Sequence, residues 1–202
     1  MLEAYLYVTP WGEHCFNCEK ETLDYFQHTQ EKVDFKIIPV LNIKIVREYI
    51  ETHNQPGRSR SEGDYNLLFS QMYHTTLDYK AACYQGKQRG KKFLYALQTA
   101  MIKRKDFYTK TLGTEVASMV GLDLEMFELD RDSNMAKREF KKDQELAQEM
   151  GVTVEPSAVV FNAPGEDCGI LLEQYDRSTL EAVCQLDIVH PHPISNFNPH
   201  II

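Results

Sequence analysis

Two apolar spacings take turns along this chain, one with the period of a strand and one with the period of a helix. "EAYLYV", residues 3 to 8, is apolar and aromatic-rich and predicts a strand, punctuated by Thr9, Pro10 and Gly12. From Glu13 to Lys32 the spacing turns helical: Cys15, Glu19, Thr22, Leu23 and Phe26 fall near one stripe. "VDFKIIPVL", residues 33 to 41, returns to strand, with Pro39 near its end. A strand–helix–strand opening predicts a parallel pair joined by a right-handed crossover.

"NQPGRSRSEGD", residues 54 to 64, is a loop by composition. Helical spacing then holds for a long way: residues 65 to 86, 88 to 104, a segment around Leu112, Val116, Met119 and Val120, then 124 to 130 and 132 to 150. Gly151 closes the last of these with a normal C-terminal glycine signal. "VTVEPSAVVFN", residues 152 to 162, is β-branched and interrupted by Pro156, a residue that suits a strand's first position or the tight turn before it. "APGED" (163 to 167) reads as a hairpin to a fourth strand, "GILLEQY" (169 to 175), followed by a helix over 178 to 186. The tail, with three prolines, predicts irregular structure over 188 to 202. The pattern is β-α-β, a mostly helical insert, then β-β-α. It divides the chain into a first unit of residues 1–42 and 151–187 and an inserted helical subdomain of residues 43–150.

Composition narrows the function classes. A net charge of −8 with no dominant basic stripe argues against a nucleic-acid binder. No stretch approaches the roughly 20 apolar residues of a membrane span. The N-terminal run has neither a basic segment nor a cleavage-like site, so a cytoplasmic location is expected. Five cysteines include one close pair, Cys15 and Cys18 in "WGEHCFNCEK", residues 11 to 20. In a cytoplasmic protein a CxxC spacing reads as redox or metal chemistry rather than as a structural disulfide. It is half of a usual zinc site, and only His14 or the tail's His190 and His192 are at hand to complete one, so no metal and no cofactor is expected. "KQRGKK", residues 87 to 92, could meet an acidic partner, although a solvated helix face explains it as well. No Gly-rich phosphate loop, HExxH or nucleophile elbow is present.

The combination of a CxxC-type turn after the first strand and a proline before the third resembles the thioredoxin superfamily, in its DsbA-like branch with a helical insertion. Four stretches carry a closer resemblance: "YLYVTPWGEHC", "DYKAACYQGKQRGKKFLYALQ" (78 to 98), "GLDLEMF" (121 to 127) and "DQELAQEMGVTVEPSAVVFN" (143 to 162). They are similar to the YjbH/SpxH family, bacterial relatives of DsbA that act as adapters for the ClpXP protease. The resemblance implies an α/β, thioredoxin-like fold and a cytoplasmic protein that binds a protein client, an Spx-type redox regulator, and presents it to ClpXP. It also implies a cis peptide at Pro156, bordering the cysteine site, with the backbone of Glu155 offered to an extended partner segment.

Thioredoxin chemistry is positional. The attacking cysteine stands at the helix N-terminus, where free N–H groups and the helix dipole favour a thiolate, and the resolving cysteine follows one turn later. In the resembling proteins the first cysteine follows the strand closely. Counted that way, Gly12 to Cys15 replaces the active CxxC: Gly12 occupies the attacking position, Cys15 the resolving one, and Cys18 is an addition one turn deeper. In the rival register Cys15 opens the helix and attacks, Cys18 resolves, and the chain is a thiol–disulfide oxidoreductase or isomerase. Cysteines three apart inside a helix have Cβ atoms about 5–6 Å apart, wider than the roughly 3.5–4.5 Å of an unstrained disulfide. The Gly12 register is preferred here, and with it the adapter. His14 could support a thiolate as an imidazolium or simply face water. Trp11 suits packing or, exposed beside the site, a partner anchor. The candidate binding residues are therefore Trp11, Gly12, His14, Glu155 and Pro156, with Cys15 and Cys18 catalytic only in the rival register.

Overall fold

Both faces of the first strand, β1 (Leu2–Val8), are covered, and for that reason it reads as a nearly unbroken apolar run. On one face Leu2, Leu6 and Val8 join a cluster with Cys15, Cys18 and Tyr25 of α1 (Glu13–His28) and Leu180 of α8 (Arg177–Cys184). On the other, Tyr7 packs with Ile45 of α2 (Ile43–His53) and Ala147 of α7 (Asn134–Glu149). The structure, a computed structural model, describes residues 1–53, 61–104, 108–164, 168–185 and 200–201.

The sheet runs in the order β2-β1-β3-β4-β5, where β2 is Val33–Pro39, β3 Ser157–Phe161, β4 Ile170–Glu173 and β5 His200–Ile201. β1 and β2 are parallel, and the remaining pairs are antiparallel. Two prolines stand at strand limits. Pro39 closes β2, an edge strand that tolerates it: the Val40 N–H still donates to the Val8 carbonyl at 2.9 Å, so the missing N–H of Pro39 takes nothing from the ladder with β1. β3 starts only at Ser157, so the apolar residues 152 to 154 lead into the strand rather than form it. The Glu155–Pro156 peptide is cis. The α1 helix is shorter than its apolar stripe predicts, ending at His28, with Thr29 already extended. In the tail, residues 188 to 199 and the histidines His190 and His192 lie outside the described residues. So do most of the loop over 54 to 64 and the tip of the hairpin over 163 to 167.

Among the described residues, six helices lie between β2 and β3 in sequence. The first, α2, has a signal that the reading by periodicity passed over. Asn42 caps it by accepting from the Ile45 N–H at 2.9 Å, and Ile45, Val46 and Ile50 form its buried stripe. Next come α3 (Glu62–Tyr84), opened by a Ser61–Asp64 capping box, and α4 (Lys87–Arg104). Thr109, Asp123 and Ser133 then cap α5 (Lys110–Met119), α6 (Leu124–Arg131) and α7. Leu68, Met72, Phe93, Leu97, Val116 and Phe127 build the apolar core of these helices, and Trp11 and Leu41 enter it from the sheet's connections.

Inside that core sits an ion pair. Arg131 donates through Nε to Asp78 Oδ1 at 2.7 Å and through Nη2 to Asp78 Oδ2 at 2.6 Å, and the Tyr108 hydroxyl bonds the same carboxylate. Both charged side chains are 2% exposed. Gly113 makes room for them: a Cβ there would lie 2.1 Å from Asp78 Oδ2 and 2.6 Å from Arg131 Nη2.

Candidate functional site

Four residues, Thr9 to Gly12, lead from β1 into α1 and set where the helix begins. The Trp11 N–H donates to Thr9 Oγ1 at 3.0 Å, closing a small turn. Gly12 then takes φ 92°, ψ 142°, a conformation that favours glycine, and serves as the N-cap. It has no side chain to accept a hydrogen bond, so no side-chain cap covers the first N–H groups of α1. Glu13 is the first helical residue.

This start point decides the register. Cys15 is the third residue of the helix rather than its opening residue, and Cys18 lies one turn further on the same buried stripe. Gly12 occupies the helix start, as the preferred register expects. The rival register, with Cys15 at the N-terminus, is not the observed one, because the Thr9–Trp11 turn ends the loop three residues before Cys15.

Burial governs both sulfurs. Cys15 is 4% exposed. Its thiol is pushed well up from the ordinary range by burial first and by the Glu155 carboxylate second, against a backbone hydrogen bond from Thr9. Burial also raises the Cys18 thiol, which lies 4.0 Å from the Tyr175 carbonyl oxygen and donates toward it. Both cysteines are free thiols. A buried thiol with a raised pKa is a poor nucleophile at neutral pH, and here burial outweighs the dipole of the nearby helix end.

Glu155 and cis-Pro156 come to the same end of the sheet. Ser157 pairs with Tyr7, so the residues just before β3 stand beside the end of β1 from which the Thr9–Gly12 loop departs. The Glu155 carboxyl is raised to about 8, by burial first and then by Glu48, against its own backbone N–H and Lys44. Its Oε2 is buried without a hydrogen-bond partner among the described residues. The Pro156 carbonyl is engaged by the Gln174 N–H at 2.8 Å.

His14 is exposed on the first turn of α1. Trp11, in contrast, is only 3% exposed. Its Nε1–H donates to Thr75 Oγ1 of α3 at 3.1 Å, and its ring stands edge-on to Tyr49 of α2 at 5.5 Å between centroids. The reading of Trp11 as an exposed anchor is therefore corrected in favour of packing: the indole joins the Thr9–Gly12 loop to the helical insert from inside. Sheet pairing thus sets Glu155 and Pro156 beside the end of β1 from which the Gly12 loop departs, the Glu155 carboxyl acts on Cys15, His14 is exposed on the first turn, and Trp11 is turned inward.

The family model described as Thioredoxin matches residues 5–182. The chain belongs to the thioredoxin family. It is 33% identical over 176 residues to the ClpXP adapter protein SpxH of Staphylococcus saprophyticus, an alignment covering 85% of this chain and 60% of that protein. Against the ClpXP adapter protein SpxH of Bacillus subtilis it is 30% identical over 183 residues, covering 84% and 61%. The chain thus spans about three fifths of the length of these relatives. Among solved structures it is similar to the thiol-disulfide exchange protein alpha-DsbA2 of Wolbachia pipientis, with a TM-score of 0.61 and 12% identity over 89% of this chain and 78% of that one. That likeness shows the DsbA-type variant of the fold.

One site neighbour of this thioredoxin-family chain was visible in the sequence only as a stripe position. Glu19, beside Cys18 and one turn after Cys15, is 2% exposed and accepts from Gln98 Nε2 of α4 at 3.1 Å. Burial raises its carboxyl to about 7 against Gln98 and Lys91. A carboxylate at the fourth position from a buried cysteine was the available signal. Glu48 and Lys44, which face Glu155, carried no such signal, because their helix was not foreseen. Among the described residues no group of three His, Cys, Asp or Glu side chains could hold a metal ion. No helix among them is long and apolar enough to cross a membrane.

Proposed function

We propose that this chain is a cytoplasmic protein-binding adapter that presents an Spx-type redox regulator to the ClpXP protease, with weak or absent redox catalysis. One observation carries the reading: the residue at the helix start, where the attacking sulfur of a thiol–disulfide enzyme must stand, is Gly12. The sulfurs that remain, Cys15 and Cys18, are buried inside the helix and held protonated by that burial. Similarity to SpxH adapters over 84–85% of the chain supports the partner class. In this reading the binding face is Gly12, the exposed His14, and the backbone around Glu155 and Pro156, with Trp11 holding the loop from behind. The client's backbone would compete for N–H groups at the uncapped start of α1.

The test compares the wild-type chain with Cys15→Ser and with the double change Cys15→Ser, Cys18→Ser. We expect no turnover above background in an insulin-type disulfide-reduction assay, and equal capture of an Spx-type protein by all three. Turnover that depends on Cys15, together with a low Cys15 pKa measured by alkylation, would overturn the reading in favour of an oxidoreductase. Loss of capture on removing the sulfurs would also overturn it.

A further inference from the structure

At the other end of α1 an open groove of about 740 Å³ runs between α1, β2 and α4. Its apolar wall is Leu23, Phe26, Val33, Phe35, Tyr95 and Met119. Tyr95 is 49% exposed and Met119 70% exposed, so large apolar surface is left in water. β2 is the edge of the sheet, and among the described residues it pairs only with β1.

The rim has one sign of charge. Among the described residues, Lys91 and Lys92 line the groove and no carboxylate does, in a chain whose net charge is −8. Lys91 is half-buried, with its ammonium 4.9 Å from the centroid of the Phe35 ring. The two carboxylates that act on Lys91 stand outside the lining and have partners of their own: Glu19 accepts from Gln98, and Asp34 pairs with Lys36 on the face of β2 opposite Val33 and Phe35.

We propose that this groove docks an acidic segment of a partner protein, which places one or two aromatic or aliphatic side chains against Phe26, Phe35 and Tyr95. Its carboxylates meet Lys91 and Lys92, and the free edge of β2 offers hydrogen bonds to an extended backbone. Leu23 and Phe26 lie roughly 20 Å along the helix from Gly12, so this is a different surface from the first turn of α1. The inference stands on the groove's own chemistry and adds a second contact face to the adapter reading.

The test uses the whole chain and a fluorescein-labelled short peptide that alternates Glu with Phe or Leu, followed by fluorescence anisotropy. Two further peptides carry Lys in place of Glu, or Ala in place of the apolar anchors. We expect the Glu–Phe/Leu peptide alone to bind wild type, and more weakly at high salt. Lys92→Glu, an exposed position that leaves packing intact, should weaken it about tenfold. The double change Lys91→Glu, Lys92→Glu should abolish it and admit the Lys peptide instead. Hydrogen-exchange protection should map to β2 and α4. No binding, binding insensitive to charge reversal, or equal binding of the Ala peptide would overturn the proposal. Self-association of the chain that Lys92→Glu removes would also overturn it, by making a second copy the occupant. Client capture by a chain that fails these peptide tests would leave the adapter reading standing and remove only the groove.

Discussion

Replacing Glu19 by Gln should stabilise this protein at alkaline pH and hardly at all in acid. Glu19 is 2% exposed between α1 and α4, where its charge acts on the two buried cysteines and Tyr79 and the Lys91 ammonium acts on it. Gln98 donates to it through Nε2 at 3.1 Å, while Gln98 Oε1 is buried without a partner among the described residues. That orphaned oxygen asks for a donor, which a protonated Glu19 or an amide can be and a carboxylate cannot. The folded carboxyl titrates at about 7 against an ordinary value of 4.5. The folded state therefore holds this proton more tightly than the unfolded chain does. The stability linked to it is present in full below pH 4.5 and is lost as the pH rises through 7. At pH 8 the loss is about 3 kcal/mol, which in a domain of this size corresponds to roughly 6–12 °C in Tm. Glu19→Gln has no proton to lose, and its amide completes the pair with Gln98. Thermal melts followed by circular dichroism should place the variant roughly 6–12 °C above wild type at pH 8 and less than about 3 °C above it at pH 5. A variant that melts at or below wild type at pH 8, or whose gain is the same at both pH values, would refute the assignment of Glu19 as the buried acid.

Gly113→Ala drives a methyl group into the Asp78–Arg131 pair, with 2.1 Å to Asp78 Oδ2, and should destabilise by about 3 kcal/mol or more in urea titrations. Trp11→Phe removes the donor to Thr75 Oγ1 and should cost about 1–2 kcal/mol. Trp11 is the sole tryptophan, so wild-type emission should be that of a buried indole and shift to the red when the loop leaves the insert, as fluorescence on urea addition will show. Gly12→Cys restores a sulfur at the helix start. The φ of 92° with ψ of 142° should cost about 1–3 kcal/mol, while a Cβ there meets nothing within 4 Å. Its iodoacetamide reaction at neutral pH should far outpace that of Cys15, and equal rates would contradict the placement of Gly12.

Much of the thioredoxin frame was legible because both faces of its inner strands are buried, which makes the strands conspicuous, and because apolar residues at helical spacing mark most helices of the insert. What escaped did so for local reasons. Helix α2 is short, and its Asn42 cap follows the strand-like Val40 and Leu41 so closely that the change of period is hard to see. Residues 152 to 154 look like strand by composition, yet pairing waits for Ser157, after the proline. The role of Trp11 turns on Thr75 and Tyr49, contacts distant in sequence that no local pattern announces. Glu155 lay beside a proline that could be singled out, but its buried, unpartnered oxygen depends on where α2 places Glu48 and Lys44.

The cysteine spacing shows why position decides where composition misleads. Taken alone, Cys15 and Cys18 look like a redox pair. Their helix gives them the wrong environment for it. A sulfur at Gly12 would sit at the uncapped end of α1, in a position where an added Cβ meets no neighbouring atom. Moving three residues along the helix turns the same atom into the apolar cluster with Leu6, Val8 and Tyr175. There its ionisation is opposed by burial and by Glu155, and its packing adds to the core. On the proposed reading, Cys15 and Cys18 with Gly at position 12 keep the interior of a thioredoxin site without its attacking sulfur. At the surface stand a loop tied to the helical insert by Trp11 and Pro156 beside the sheet end from which that loop departs, features that suit binding a polypeptide without exchanging a disulfide with it.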